Sequence, residues 1–150
     1  MRSQDILNQP ALFLAQNQRE LYFEQGYLMF PGLISTGELE EFRALVSRIV
    51  DSTRTIMKSS NEVDLEKGHS AESPKLRRIT YVDDKDPLFW QFCADSIITD
   101  IAADLLGPDV RFRDMMLNFK WADGGAEVKW HQDICFYPHT HLGSMQFLVF

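Results

Sequence analysis

One hundred and fifty residues, 45% apolar and 25% charged, with eleven Phe, four Tyr and three Trp, suit one globular domain and exclude a disordered chain. Fifteen basic against twenty-two acidic residues give a net charge of −7, which argues against nucleic acid as a partner. No apolar run approaches the roughly 18 residues of a membrane span. Cys93 and Cys135 are singletons without C-x-x-C spacing, so neither a disulfide framework nor a zinc knuckle is expected. The longest early apolar stretch, Ala11–Ala15, is too short for a signal-peptide core, and a cytoplasmic protein is the default expectation.

In chain order, a first helix is expected over about Asn17–Gln25, ended by Gly26, followed by a short strand Tyr27–Phe30 closed by Pro31-Gly32. Ser35-x-x-Glu38 is a capping box, because hydroxyl and carboxylate can satisfy each other's backbone donors. Leu39, Phe42, Leu45, Val46, Ile49 and Val50 then recur at three- and four-residue steps and form one apolar stripe. Residues 59–74 are polar and read as a mobile loop, either a lid or a plain surface loop. A strand over Leu76–Val82 follows, then a short helix opened by Asp86-Pro87 and a longer one from Ser96 to Leu106, stopped by Gly107-Pro108. From Val110 the period changes to two. Strands are expected over Val110–Trp121 and Val128–Phe136, around the Asp123-Gly124-Gly125 turn, and over Ser144–Phe150. Helices first and strands afterwards make residues 1–150 a single α+β domain with a sheet core. The final run Met145–Phe150 has no turn residue or polar tail, so the expectation is a chain cut within a core strand.

Chemistry gathers around Lys129-Trp130-His131-Gln132-Asp133-Ile134-Cys135-Phe136-Tyr137-Pro138-His139. On a strand, His131 and Asp133 project to one side, because side chains alternate. An imidazole and a carboxylate so placed can occupy neighbouring positions on one divalent cation, and iron suits that mixture when a second His arrives from elsewhere. Alone, H-x-D is a weak signal, and a structural His on a sheet face is the alternative. Trp130 and Gln132 point to the other face, as packing and support. His139 and His141 are either loop residues, parts of a substrate pocket or a replacement ligand, and His69 reads as solvated.

The pieces PKLRRITYVDDKDPLF, LLGPDV, MMLNFK and WHQDICFYPHT, in that order after GYLMFPGLIS and an amphipathic helix, resemble the phytanoyl-CoA dioxygenase family of iron(II)/2-oxoglutarate oxygenases. The likeness covers about Gln18 to Phe150, and WHQD with its aromatic-Pro tail is its most specific part. It implies N-terminal helices packed on a double-stranded β-helix (jelly-roll) core, here in its N-terminal part. It implies Fe(II), with 2-oxoglutarate and O2 as cosubstrates, and His131 and Asp133 as two of three metal ligands. The third, a late His, and an Arg for the distal carboxylate of 2-oxoglutarate would lie beyond residue 150, so the 150-residue chain is expected to be inactive alone. The reaction implied is hydroxylation of a small organic or lipid-like substrate, with 2-oxoglutarate decarboxylated to succinate. Asp133 favours hydroxylation over halogenation, since related halogenases leave that position open for chloride.

Further candidates are Met116 and Tyr81, from the same resemblance, and Lys120 and Cys135, from their places on the expected strands. Met116 aligns with a position that contacts 2-oxoglutarate, or is a core Met. Lys120 either reaches a cosubstrate carboxylate or snorkels from an edge strand. Tyr81 stands where some relatives carry a cosubstrate-binding Lys, with Arg77 and Arg78 near enough to compensate. Cys135 and Tyr137 border the substrate pocket in this reading, while an ordinary buried Cys is the alternative for Cys135. Two other functions stand beside the oxygenase: a non-catalytic β-domain that keeps the motif as structure, and another metal-dependent jelly-roll enzyme such as an isomerase. The oligomeric state is not legible.

Overall fold

The computed structural model describes residues 2–137 and 143–150. They form two compact units. One comprises the described residues of Met1–Phe30, Gln91–Arg113 and Lys129–Phe150; the other comprises Pro31–Trp90 and Asp114–Val128.

In the first unit, helices α1 (Ser3–Leu7) and α2 (Gln16–Gln25) pack with a third helix, Ile97–Leu106, around Ile6, Leu14, Ile98, Ile101 and Leu105. Gly26 ends α2 in the left-handed region at φ 86°, where the lack of a Cβ removes the steric cost. Ile97–Leu106 starts at Ser96, whose hydroxyl accepts the Ile98 N–H, and stops at Gly107. Two buried charged residues tie the N-terminal segment to this helix. The Asp104 carboxylate accepts the backbone N–H groups of Leu12, Phe13 and Leu14 at 2.7, 2.9 and 2.7 Å. Arg19 donates to the carbonyls of Asp104 (3.1 Å), Gln9 (3.0 Å) and Ile6. Burial pushes the Asp104 carboxyl up, but the three N–H donors, aided by Arg19, outweigh it and hold the group below the usual carboxylate range.

The second unit is a helix on a small sheet. Helix α3 (Thr36–Ser52) begins as the sequence predicts: the Glu38 N–H donates to Ser35 Oγ at 3.2 Å, and Glu38 Oε2 accepts the Ser35 N–H at 2.9 Å. Its stripe packs on a core of Leu45, Leu76, Ile79, Val82 and Phe89, with Phe42 stacked on Phe89 at 5.8 Å between ring centres. Phe89 belongs to helix α4 (Pro87–Ala94), so Ile97–Leu106 is α5. Strands β1 (Val63–Leu65), β2 (Leu76–Thr80) and β3 (Met116–Asn118) form an antiparallel sheet in the order β1-β2-β3. Leu76 and Ile79, three residues apart, would face opposite sides of a regular strand. Asp64 pairs with Arg78 but Leu65 with Leu76, so Arg77 is an extra residue, and this bulge lets both apolar side chains enter the core.

The architecture is thus mixed helix with a small antiparallel sheet. Five expectations change. Tyr27–Phe30 is not a strand: among the described residues no neighbour pairs with it, and Tyr27 and Met29 face water. Residues 59–74 are not all loop, because Val63 and Leu65 flank Asp64 on β1, a pattern too short to register in the sequence. Of Val110–Trp121 only Met116–Asn118 pairs as a strand. Val128–Phe136 and Ser144–Phe150 form no strand; among the described residues no chain lies beside them to take their N–H and C=O groups, and Asp133–Phe136 coils into a 3-10 turn instead. No helix among the described residues is long and apolar enough to cross a membrane.

Asp104→Ala should lower stability by about 3–5 kcal/mol, since it orphans three backbone donors and leaves Arg19 without its counter-charge. The depressed carboxyl adds stability that is present above its unfolded pKa, near 4, and is lost as pH falls through the lower folded value. Urea unfolding of the wild-type chain should show that acid-side slope, and the same curve for the Ala variant should lack Asp104's share of it.

Candidate functional site

His131 and Asp133 lie in the first unit, separated by one extended residue, Gln132 (φ −115°, ψ 119°). That single residue does what a full strand was expected to do and turns the two side chains to the same side. His131 Nε2 stands 3.0 Å from Asp133 Oδ1, with both side chains partly exposed. His131 Nδ1 lies 2.6 Å from the carbonyl oxygen of Lys129. A carbonyl can only accept, so Nδ1 carries the proton and, in the neutral ring, Nε2 presents its lone pair to the carboxylate. A proton on Nε2 makes the 3.0 Å contact a hydrogen bond to the carboxylate, and a cation bound by both atoms holds them at the same distance. Two ligand atoms each about 2.1 Å from one ion and at right angles are themselves about 3.0 Å apart, so the spacing fits adjacent coordination positions. Metal-binding imidazoles commonly donate their other N–H to a carbonyl in this way. Among the described residues no third His, Cys, Asp or Glu completes a metal-binding group with them. His139 and His141 lie outside the described residues.

The turn opened by Asp133 carries the other two pocket candidates in this unit. Cys135 is an exposed free thiol, not the buried Cys of the alternative, because the 3-10 turn replaces the expected strand. Tyr137 follows the turn and lies under the guanidinium of Arg113, which sits 3.7 Å from its ring centre. Phe136 meets the His131 ring edge-on at 6.0 Å. Trp130, expected to pack, is fully exposed, since among the described residues its segment forms no strand.

The three cosubstrate candidates lie in the second unit. Thr80 pairs with Met116, which brings Tyr81 and Met116 to one end of the sheet. Tyr81 takes the left-handed region (φ 54°, ψ 45°), at a steric cost of about 1–2 kcal/mol for a non-glycine residue, and its side chain is half exposed. The twist ends β2 and lets the Val82 N–H reach the Met115 carbonyl at 3.2 Å. Lys120 is turned elsewhere: its Nζ donates to the Ala126 carbonyl at 2.8 Å. That turn is a small polar structure of its own, with Lys75 paired to Asp123 and Glu66 Oε2 accepting the Ala126 N–H at 3.0 Å. The Ala126 and Lys67 N–H groups hold Glu66 below the usual carboxylate range. A hollow of about 400 Å³ is lined by Glu66, Lys67, Lys75, Trp121 and the Asp123–Ala126 turn, and none of the expected site residues lines it. Arg77 pairs with Asp64 at 3.5 Å. His69 is not simply solvated: its Nδ1 lies 3.0 Å from the Lys75 N–H and its Nε2 is buried without a partner. Sequence reasoning missed Arg113 and Asp104, which belong to no motif.

The chain thus combines helices and a small antiparallel sheet with an imidazole–carboxylate pair 3.0 Å apart. The family model "Phytanoyl-CoA dioxygenase (PhyH)" matches residues 22–149, and the chain belongs to that family. It is 30% identical over 132 residues to a probable alpha-ketoglutarate-dependent hypophosphite dioxygenase of Stutzerimonas stutzeri, covering 85% of this chain and 44% of that protein. It is 28% identical over 135 residues to the ectoine dioxygenase of Stutzerimonas stutzeri strain A1501 (86% and 40%). To the peroxisomal phytanoyl-CoA dioxygenase of Rattus norvegicus it is 27% identical over 135 residues (83% and 38%). The chain thus spans about two-fifths of the length of these relatives.

The carbonyl contact predicts the tautomer of His131. Long-range proton–nitrogen correlation spectra should show Nδ1 protonated; a ring bare at Nδ1 would contradict the geometry.

Proposed function

We propose that this chain carries two metal ligands, His131 and Asp133, of a non-haem iron(II)/2-oxoglutarate-dependent dioxygenase that hydroxylates a small organic or lipid-like substrate. The observation that carries the reading is the 3.0 Å approach of Nε2 to Oδ1, with the imidazole locked by the Lys129 carbonyl. Membership of a dioxygenase family supports it, as do relatives whose names specify alpha-ketoglutarate dependence and dioxygenase activity. When bound, iron(II) with 2-oxoglutarate and O2 would supply the oxidation, placing one oxygen atom in succinate and the other in the substrate.

The residues of this chain supply position and charge. The Lys129 carbonyl fixes the plane of the His131 ring and keeps the lone pair on Nε2. Asp133 offsets one of the two positive charges, and a third ligand, a histidine elsewhere in the polypeptide, would complete the facial set and leave three positions open. The three-stranded sheet would be part of a double-stranded β-helix. Met116 and Tyr81, at the same end of the sheet, are the candidates for contact with 2-oxoglutarate. Lys120 would have to leave Ala126 to join them. Cys135 and Tyr137, on the turn after Asp133, are the candidates for the substrate side. The relatives' names range from hypophosphite to phytanoyl-CoA, so family membership favours a reaction class over any one substrate.

Anaerobic iron(II) and 2-oxoglutarate should give the protein the weak visible absorption of the chelate, and the wild-type 150-residue chain should bind iron(II) weakly. Asp133→Ala should lower that affinity at least about tenfold. Unchanged affinity in a folded variant, or a full-length protein with neither absorption nor 2-oxoglutarate turnover, would make His131 and Asp133 a structural pair.

A further inference from the structure

We propose that the hollow beside the Asp123–Ala126 turn binds a small zwitterion, a free amino acid with an apolar side chain, through the Glu66 carboxylate, the Lys67 ammonium and the Trp121 ring. The proposal does not rest on the function proposed above. Every lining residue belongs to the second unit. Three contacts hold the walls together: Glu66 Oε2 accepts the Ala126 N–H, Lys75 pairs with Asp123, and Trp121 Nε1 donates to the Leu76 carbonyl at 2.7 Å. A volume of about 400 Å³ is at the small end of ligand sites, which run from about 300 to 1,000 Å³. The hollow therefore suits a molecule of amino-acid size and not a long chain.

The charges decide what enters. Lys67 and Lys75 line the hollow against Glu66 and Asp123, so a simple anion or cation meets as much repulsion as attraction. Lys75 and Asp123 satisfy each other. Glu66 and Lys67 do not: among the described residues the Lys67 ammonium pairs with no carboxylate. The Ala126 and Lys67 N–H groups, at 3.0 and 2.9 Å, hold Glu66 below the usual carboxylate range and so ionised at neutral pH. A carboxylate has about four lone-pair sites, so about two remain for a ligand. Two opposite charges that line one hollow without pairing fit one molecule that carries both, its ammonium on Glu66 and its carboxylate on Lys67. Trp121 supplies the third contact. Its N–H is engaged by Leu76 and its ring stacks on Phe119 at 6.1 Å between centres, so it offers only apolar ring surface. Gly124 lines the hollow without filling it, since a Cβ there would meet nothing within 4 Å.

The test uses L-leucine, with leucinamide as the matching cation and N-acetylleucine as the matching anion, on the metal-free chain at neutral pH. Nuclear magnetic resonance would follow the Trp121 indole N–H and the backbone N–H groups of Lys67 and Ala126. Leucine should bind the wild-type chain saturably, and each blocked form about tenfold more weakly or worse. Lys67→Met, at an exposed position, should lower leucine affinity about tenfold and bring it level with leucinamide. Glu66→Gln, which keeps an acceptor for the Ala126 N–H, should bring leucine level with N-acetylleucine. Leucine that fails to bind the wild-type chain, binding there matched by either blocked form, or leucine affinity indifferent to Lys67→Met in a folded variant overturns the proposal.

Discussion

A carboxylate almost wholly shielded from water, Asp104, holds the first unit together. It lies on the buried face of α5, where an unpaired charge would be prohibitively costly. Three successive backbone N–H groups, Leu12 to Leu14, converge on it and turn that cost into a constraint. Arg19 supplies the reciprocal half, with one carbonyl from α5 and two from the segment before α2. α1 is too short to be stable by itself, and its placement follows from these bonds and from the burial of Ile6 and Leu14. This unit also carries His131 and Asp133.

The pair itself depends on a much smaller constraint. One extended residue and one backbone carbonyl suffice to bring an imidazole lone pair to a carboxylate oxygen. No strand is needed, which is why the local geometry survives in a segment that forms none. Phe136, on the turn that Asp133 opens, meets the His131 ring edge-on.

Much of the helical structure was legible because its signals are local. Ser35 and Glu38 mark the start of α3 within four residues, Gly107 marks the end of α5, and the stripe from Leu39 to Val50 forecasts the face that meets Leu76 and Ile79. The placement of His131 and Asp133 is likewise local, since the single extended residue between them, Gln132, turns both side chains to one side. The rest depends on partners distant in sequence. Asp104 reads as one more acid on a helix, and only the return of Leu12–Leu14, about ninety residues away, gives it a role. The bulge at Arg77 reflects pairing with β1, and alternation along Val128–Phe136 promised a strand that has no neighbour here. Trp130 and Cys135 were assigned sides of that strand, and without it both are exposed.

Anomalous diffraction from crystals grown anaerobically with iron(II) tests the central claim most directly. The account predicts one iron peak within about 2.2 Å of both His131 Nε2 and an Asp133 carboxylate oxygen, with Nδ1 still on the Lys129 carbonyl. Iron bound at other residues, with His131 and Asp133 in contact only with each other, would contradict it.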